Sequence, residues 1–296
     1  MHGKGNKKLT AFFFAFFWVL SISSVISLEM QVLPSEKLIP GSAVIIIIKG
    51  INGTAAKLNI GGNDIPLVYL SNGEAMALWG LDLHVRGKMN AVFADGKGKI
   101  NKEIIVEDYE FPAEMLTLPP DKVFLSEKDL MRVEKEKEVL DNIWNLVSPE
   151  KLWNGMFMLP VGGAPGSRFG LRRIINGEER NPHTGMDIIA AEGTPVMAVN
   201  RGKVIFEGDL FFSGNSVVID HGLGLYSMFF HLSKVLVKVG DLLEKGTPIG
   251  YVGATGRVSG PHLHFGFRLL NAKIDPQSML NLNLDSGRQE RGITGP

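Results

Sequence analysis

The stretch that decides the fold is "GPHLHFGFRL" (260–269). Histidine is scarce in this chain, with seven in 296 residues, yet His262 and His264 stand two positions apart after a glycine–proline turn. In a β-strand, residues i and i+2 share one face about 6.5 Å apart, so both histidines point one way and Leu263 and Phe265 point to the core. Two interpretations remain open. The pair shares one site, with one histidine a metal ligand and the other beside an open coordination position, or both face solvent on an amphipathic strand.

The region around this strand, from about 157 to 280, is rich in glycine and in short apolar runs. No segment in it shows a sustained helical period, so we expect an antiparallel β-sheet. The strand candidates are "TPVMAV" (194–199), "GKVIFEG" (202–208), "NSVVIDHG" (215–222), "YSMFFHLS" (226–233), "TPIGYVG" (247–253) and "HLHFGFRL" (262–269). The polar residues 282–296 are predicted to form a flexible tail.

A second β-rich region precedes it, between residues 38 and 108. Its apolar runs are separated by "NG", "GGND", "SNG" and "DGKG", and such short strands with tight turns indicate a small β-sandwich. We expect the isoleucine run to lie in the sandwich core. The candidate strands are "AVIIII" (43–48), "AAKLNI" (55–60), "IPLVYL" (65–70), "EAMALWGL" (74–81), "MNAVFA" (89–94) and "KINKEIIV" (99–106).

One convincing helix lies between the two β regions, after the proline-punctuated linker "FPAEMLTLPPDK" (111–122). Ser126 can cap its N-terminus with Asp129 three residues on, and Pro149 lies just past its end. We expect the helix to pack on one or both domains through an apolar stripe that consists of Leu130, Val133, Leu140, Ile143 and Val147.

The predicted fold is therefore mainly β. It consists of an N-terminal small β-sandwich (28–110), a linker with a connecting helix (111–156), a C-terminal antiparallel β-sheet domain (157–281) and the tail (282–296). Because the chain contains no cysteine, disulfides and thiolate catalysis are excluded, and histidine and carboxylates remain as metal ligands.

The N-terminus has the order of a secretory signal. "MHGKGNKK" is basic, "AFFFAFFWVL" is an unbroken apolar run and "SISSVIS" is small and polar. Residues 1–27 are therefore predicted to be a signal peptide, with an uncleaved membrane anchor as the alternative. Either way, the remaining chain is exported, and any membrane contact involves this segment only.

Charge gives little further information about partners. Residues 28–150 contain 13 Lys/Arg and 19 Asp/Glu, whereas residues 151–296 contain 15 and 12. No Lys/Arg run is present, so we expect no nucleic-acid partner. No motif identifies a regulatory partner.

Five of the seven histidines fall between 183 and 264: His183, His221, His231, His262 and His264. Asp187 follows His183 by four positions. Pro182 and Gly185 argue against a helix there, and in an extended segment residues i and i+4 share a face. Two histidines and one carboxylate suffice for a catalytic zinc site with an open fourth position, and His231 and His262 then remain for proton transfer and oxyanion stabilisation.

These residues resemble the M23 metallopeptidases, the lysostaphin/LytM-type peptidoglycan endopeptidases, over about 120 residues. The region before them resembles the N-terminal extension of exported Gram-negative-type members. The similar segments are "SRFGLRR" (167–173), "HTGMD" (183–187), "GTPVMAVNRGKV" (193–204), "GNSVVIDHGLGLYSMFFHL" (214–232), "VKVGDLLEKGTPIGYVGATGRVSGPHLHF" (237–265) and "DP" (275–276).

The resemblance implies one Zn²⁺ per chain, bound by His183, Asp187 and His264, and catalytic roles for His231 and His262. It also implies a peptidoglycan substrate, with the peptide stems as the binding partner. The implied location is the periplasm or cell envelope of a Gram-negative-type bacterium, free or anchored to the inner membrane. The alternatives are a non-catalytic LytM-type regulator of cell-wall amidases, and a wall-binding module with an incidental metal.

The sequence departs from the family pattern in two places. Phe229 stands where the family often has a tyrosine, and residues 174–182 contain no tyrosine. These departures argue against cleavage of glycine bridges. The resemblance alone implies the D-Ala to diamino-acid cross-link as the substrate. They also leave more oxyanion stabilisation to the catalytic histidines, with Asn181 or a nearby arginine as a further candidate. The resemblance implies for His221 a structural or ligand-supporting role.

Overall fold

The computed structural model describes residues 27–284, except residues 36, 54 and 118–124. The predicted signal peptide lies outside the described residues apart from Ser27, and so does the tail beyond Leu284. Within the described part of the chain, no helix combines the length and the apolar character that a membrane crossing needs.

The N-terminal part is a β-sandwich of two four-stranded antiparallel sheets, with strand orders β1-β2-β6-β5 and β4-β3-β7-β8. Side chains from both sheets meet in one buried cluster that includes Ile46 and Trp79 from the first sheet and Leu58 and Phe93 from the second. The predicted sandwich is therefore confirmed. Its strands are β1 (Glu29–Leu33), β2 (Ala43–Lys49), β3 (Lys57–Ile60), β4 (Asn63–Ile65), β5 (Val68–Tyr69), β6 (Ala75–Gly80), β7 (Gly87–Ala94) and β8 (Lys99–Val106).

The isoleucine run in β2 is buried on both faces. Ile46 and Ile48 belong to the sandwich core, whereas Ile45 and Ile47 belong to a second cluster together with Ile274 of the C-terminal part. The expectation that the whole run lies in the sandwich core is wrong for every second residue. Successive strand side chains point to opposite faces, so a continuous apolar run serves two cores at once.

The C-terminal part is built on a ten-stranded sheet with the order β10-β13-β20-β17-β16-β15-β18, and β14, β19 and β21 attach to it. Its pairings are antiparallel, as predicted. The elements from here to the C-terminus are β10 (Ala164–Pro165), β11 (Arg172–Ile175), β12 (Glu178–Arg180), β13 (Met186–Ile189), β14 (Pro195–Met197), β15 (Gly202–Leu210), β16 (Gly214–Gly222), β17 (Leu225–Val235), β18 (Leu242–Leu243), β19 (Pro248–Val252), β20 (Leu263–Leu269), β21 (Ala272–Ile274) and the helix Pro276–Leu280.

The connecting helix, α1 (Glu127–Trp144), begins at the predicted cap, where the Ser126 hydroxyl accepts the Asp129 N–H at 3.2 Å. Its C-terminal end is buried against the C-terminal sheet. In its N-terminal half, the exposed Arg132 guanidinium donates to the backbone carbonyl and the carboxylate of Asp209 in β15, at 3.1 and 3.0 Å. Trp144 is buried edge-on against Tyr226 with ring centroids 5.5 Å apart. The predicted stripe is therefore wrong at its ends, because Leu130 is 51% exposed and Val147 lies beyond the helix and is 48% exposed.

The linker between the domains contains a strand that the sequence did not indicate, β9 (Ala113–Leu116). It pairs in parallel with β11, and β12 completes a three-stranded sheet. The backbone N–H of Arg172 donates to the Pro112 carbonyl at 2.9 Å and begins this contact. A strand whose partner lies about sixty residues away has no local signal, so the proline content dominated the prediction.

The C-terminus also differs from the expectation of an all-strand region. The short helix α2 (Pro276–Leu280) has Pro276 in its first turn, and the Asp275 carboxylate accepts the Gln277 N–H at 2.9 Å as the cap. Five residues are too few to show a helical period. Leu282 and Leu284 are buried in the core, so the first residues of the predicted tail pack against the protein.

Candidate metal centre and flanking histidines

Three neighbouring strands bring the candidate residues together. In the pairing of β13 with β20, Asp187 lies opposite His264, and in the pairing of β17 with β20, Phe230 lies opposite His264. A single bridge from Gly253 to His262 fixes the start of β20. His262 and His264 therefore share one face, while the alternate residues of β20 face the core.

Three donor atoms form a nearly equilateral triangle. Nε2 of His183 lies 3.1 Å from Oδ1 of Asp187 and 2.9 Å from Nδ1 of His264, and the last two atoms are 3.0 Å apart. These three side chains form a group that could hold a metal ion. The side chains of Asp187 and His264 each keep 13% exposure, so neither is fully sealed from solvent.

The orientation of the His183 ring is set by a hydrogen bond on the side away from the triangle. Its Nδ1 donates to the Arg168 carbonyl at 2.9 Å, and a carbonyl oxygen can only accept, so the proton is on Nδ1 and the Nε2 lone pair faces the triangle. The backbone holds the residue on both sides, through His183 N–H to the Leu171 carbonyl at 2.9 Å and Gly170 N–H to the His183 carbonyl at 2.8 Å. Such outer hydrogen bonds are what metal-ligating histidines usually make.

Electrostatics favours an ionised carboxylate at Asp187 and a neutral imidazole at His264. Burial alone raises the pKa of the Asp187 carboxyl, but the adjacent imidazoles of His183 and His264 outweigh it and hold this pKa well below its ordinary value. Burial lowers the pKa of His264. An ionised carboxylate and neutral imidazoles are the protonation states that bind a divalent cation.

Gly185 makes room for this arrangement. A Cβ atom at this position would lie 2.6 Å from Nε2 of His264 and 2.5 Å from the carbonyl oxygen of Phe265. Real Cβ atoms do not approach other atoms so closely, and one of the two obstacles is backbone. The glycine in "HTGMD" is therefore required because the His264 ring lies against its backbone.

His231 and His262 flank the triangle. Their ring centroids are 4.8 Å apart, and Nε2 of His262 lies 3.8 Å from Oδ1 of Asp187. Nδ1 of His231 donates to the Thr255 carbonyl at 3.0 Å, and Nδ1 of His262 donates to the Gly260 carbonyl at 2.9 Å. Both rings thus keep Nε2 as a free acceptor, and burial lowers the pKa of His231 to about 4.

The other residues that the sequence singled out lie apart from this group. His221 is fully buried; its Nδ1 donates to the Arg201 carbonyl at 2.9 Å and its Nε2 accepts the Ser227 hydroxyl at 2.8 Å. Phe229 is fully buried in the core, so a hydroxyl on that ring would not face the site. Asn181 is exposed.

Several contributors were not apparent from the sequence. The carbonyl groups of Arg168, Thr255 and Gly260 belong to the backbone, so no residue type signals them. The Phe230 ring stacks on His264 at 5.5 Å with an interplanar angle of 8°. Its position next to His231 was the only available signal, and an aromatic residue there is more often part of the core.

The region that contains these residues is similar to known proteins. Residues 181–276 match the family model described as Peptidase family M23, and all five candidate residues lie inside that range. A crystal structure from Pseudomonas aeruginosa, assigned to peptidase M23, is 31% identical with a TM-score of 0.67, and the alignment covers 83% of this chain and 96% of that one.

Curated relatives match over about a third of this chain. The peptidoglycan DD-endopeptidase ShyB of Vibrio cholerae is 42% identical over 94 residues, which is 32% of this chain and 22% of ShyB. The DD-carboxypeptidase/endopeptidase Mpg of Neisseria meningitidis is 40% identical over 97 residues, which is 33% of this chain and 22% of Mpg. The chain thus spans less than a quarter of the length of these two relatives.

Proposed function

The chain belongs to peptidase family M23, and we propose that it is a zinc-dependent endopeptidase that hydrolyses the peptide cross-links of bacterial peptidoglycan. The observation that carries this proposal is the triangle of donor atoms flanked by two histidines with free Nε2 atoms. A metal-dependent hydrolase needs a cation site, a proton acceptor and a hydrogen-bond donor for the oxyanion, and these residues supply all three.

The donor set fits zinc. Zinc prefers nitrogen and carboxylate oxygen ligands in a tetrahedron, and bonds of 2.0–2.1 Å give donor separations of about 3.3 Å. The separations among His183, Asp187 and His264 are 2.9–3.1 Å, close to that value without a change of rotamer. Three protein ligands leave the fourth position to water or substrate, as in catalytic rather than structural zinc sites.

When bound, zinc supplies Lewis acidity for the scissile carbonyl and for a water molecule. His231 and His262 then act as proton acceptors and donors. Either Nε2 accepts the proton of the attacking water, because both lone pairs face the site. The imidazolium that results donates a hydrogen bond to the oxyanion or passes its proton to the leaving amine. The carbonyls of Thr255 and Gly260 keep both rings in the required tautomer.

The relatives support the choice of substrate. ShyB is named a peptidoglycan DD-endopeptidase, and Mpg is named a DD-carboxypeptidase/endopeptidase. We therefore assign the D-Ala to diamino-acid cross-link to this chain, with the peptide stems of peptidoglycan as its partner. This substrate requires export, in agreement with the signal-like residues 1–27, and the proposed location is the periplasm or cell envelope of a Gram-negative-type bacterium.

The test pairs metal content with cleavage. Residues 28–296 are purified, their zinc is quantified, and cross-linked muropeptides are digested with wild type, His262→Ala and the exposed control His84→Ala. We expect one zinc in all three and a fall in rate of about 100-fold or more for His262→Ala only, the range of general acid–base catalysis. Intact cross-links after treatment with zinc-loaded wild type would contradict the proposal.

A further arm tests the regulator alternative. Amidase activation is measured with wild type and His264→Ala, since regulation survives the loss of a metal ligand and catalysis does not. If both chains activate an amidase equally and neither cleaves cross-links, the function is regulation.

A further inference from the structure

The backbone of His231 adopts an uncommon conformation. Its φ is +64°, in the left-handed region that non-glycine residues rarely occupy. In the pairing of β16 with β17, Asn215 lies opposite Leu232 and Val217 opposite Phe229, so two residues of β17 face one of β16. This is a β-bulge, and glycine is the usual residue at a left-handed position of this kind. The surroundings therefore have to hold His231 in place.

Two residues surround this bulge with hydrogen bonds. The Thr255 hydroxyl donates to the Leu232 carbonyl at 2.8 Å and accepts the Asn215 backbone N–H at 2.9 Å. Nδ2 of Asn215 donates to the same Leu232 carbonyl at 3.0 Å and to the Ser233 carbonyl at 3.5 Å. The Leu232–Ser233 peptide, one residue beyond His231, is thus held by two side chains from outside its strand. We call Asn215 and Thr255 the bulge clamp.

The bulge clamp also reaches the imidazole itself. The carbonyl that accepts Nδ1–H of His231 belongs to Thr255, so one residue fixes both the backbone and the ring. Gly214 allows the close approach of the two segments, because a Cβ there would lie 2.3 Å from Oγ1 and the carbonyl carbon of Thr255. A movement of Thr255 therefore changes three properties of His231 together: its backbone conformation, its imidazole tautomer and the direction in which its Nε2 points.

We infer that Asn215 and Thr255 are positioning residues, which act through His231 by fixing its left-handed backbone and directing Nε2 into the site. The inference rests on the proposed hydrolysis for its kinetic consequence only; the state of the imidazole is measurable without turnover. Nothing in the geometry gives Thr255 or Asn215 a direct contact with the three donor atoms of the triangle.

The test uses Thr255→Val, which keeps the shape and removes the hydroxyl, and Thr255→Ser, which restores it. The matched control is Thr194→Val, because the Thr194 hydroxyl also donates to a backbone carbonyl, that of Ala191. We expect kcat to fall about 100-fold in Thr255→Val with KM and zinc content unchanged, the loss typical of a misplaced catalytic group. Thr255→Ser and Thr194→Val should stay within about threefold of wild type, since each keeps the bulge clamp.

A second readout is independent of catalysis. Nitrogen chemical shifts of the His231 ring report which nitrogen carries the proton, and we expect a single Nδ1–H tautomer in wild type and a mixture in Thr255→Val. If Thr255→Val does not fold, Asn215→Asp replaces it, because it removes the Nδ2 donor at nearly constant volume. A variant with a lower melting temperature but wild-type kcat and an unchanged tautomer would overturn the inference. If wild type itself leaves substrate intact, the proposed function fails, and the tautomer measurement still decides about the bulge clamp.

Discussion

We expect the buried histidine at position 221 to make the stability of the fold depend on pH. Burial lowers the pKa of His221 to about 4 from its ordinary value of 6.5. In the neutral form both ring nitrogens have partners: Nε2 accepts the Ser227 hydroxyl and Nδ1 donates to the Arg201 carbonyl. The folded protein therefore excludes a proton that the unfolded chain binds below pH 6.5.

The sign and size of the effect follow from this difference. A depressed pKa in the folded state gives stability that is present above pH 6.5 and is lost as the pH falls towards 4. One pKa unit corresponds to 1.36 kcal/mol, so the free energy of unfolding should fall by about 2.5 kcal/mol between pH 7.5 and pH 4.5 on account of His221.

The assay compares urea unfolding of wild type and His221→Asn at both pH values, with metal removed so that ligand protonation does not interfere. Asparagine keeps a donor for the Arg201 carbonyl but does not titrate. We expect the variant to be less stable at pH 7.5 and the gap to narrow by about 2.5 kcal/mol at pH 4.5. The exposed His84→Asn serves as control. If the two curves fall in parallel, the account of a neutral buried imidazole is wrong.

Three further outcomes are expected. Gly185→Ala places a Cβ 2.6 Å from Nε2 of His264, so we expect it to weaken zinc binding about 10- to 100-fold in a chelator competition. The control Gly162→Ala places its Cβ in open space and should bind zinc as wild type does. Equal zinc affinities of the two variants would refute the steric argument. In urea unfolding, Ile46→Ala should reduce the free energy of unfolding by about 2–5 kcal/mol. The control Ile105→Ala, at an exposed position, should reduce it by less than about 0.5 kcal/mol. Similar losses of unfolding free energy in the two variants would contradict the burial of Ile46. Chelation should abolish cleavage and leave the far-ultraviolet circular dichroism unchanged, since both hydrophobic cores form without the site; loss of that signal would show that folding depends on the metal.

The strands of both β regions could be predicted because their signal is local. Alternating apolar residues and turn dipeptides mark a strand whatever its partner, and the predicted limits of β8 (99–106) agree with the structure. Which of the two cores a buried strand face packs into is not encoded in the local sequence. Nothing in "AVIIII" distinguishes Ile46, in the sandwich core, from Ile45, against the C-terminal sheet. The linker strand β9 was missed for the same reason, since its partner β11 lies far along the chain.

For the site, residue type and period carried the prediction further than for the fold. Residues two positions apart in a strand share one face, so His262 and His264 could be placed together from the sequence. The limits lay in the backbone. Every residue has a backbone carbonyl, so the sequence does not reveal that the carbonyl of Thr255 accepts a hydrogen bond from His231. The left-handed φ of His231 depends on a bulge, and hydrogen bonds from another segment maintain that bulge. The metal and catalytic roles of the five residues stay predictions until the proposed measurements are made.

The two cores also limit how this sequence can recombine. The family match covers residues 181–276, yet the face of the C-terminal sheet around Ile274 is covered by Ile45, Ile47 and Met76 of the sandwich. The fit is close, because a Cβ at Gly80 would lie 2.8 Å from Ile274. A gene fusion that carries only the matched stretch would expose this apolar surface. A fusion that keeps the matched domain folded must therefore also carry a domain that covers this apolar surface. Otherwise it needs polar residues at the positions that the sandwich now buries.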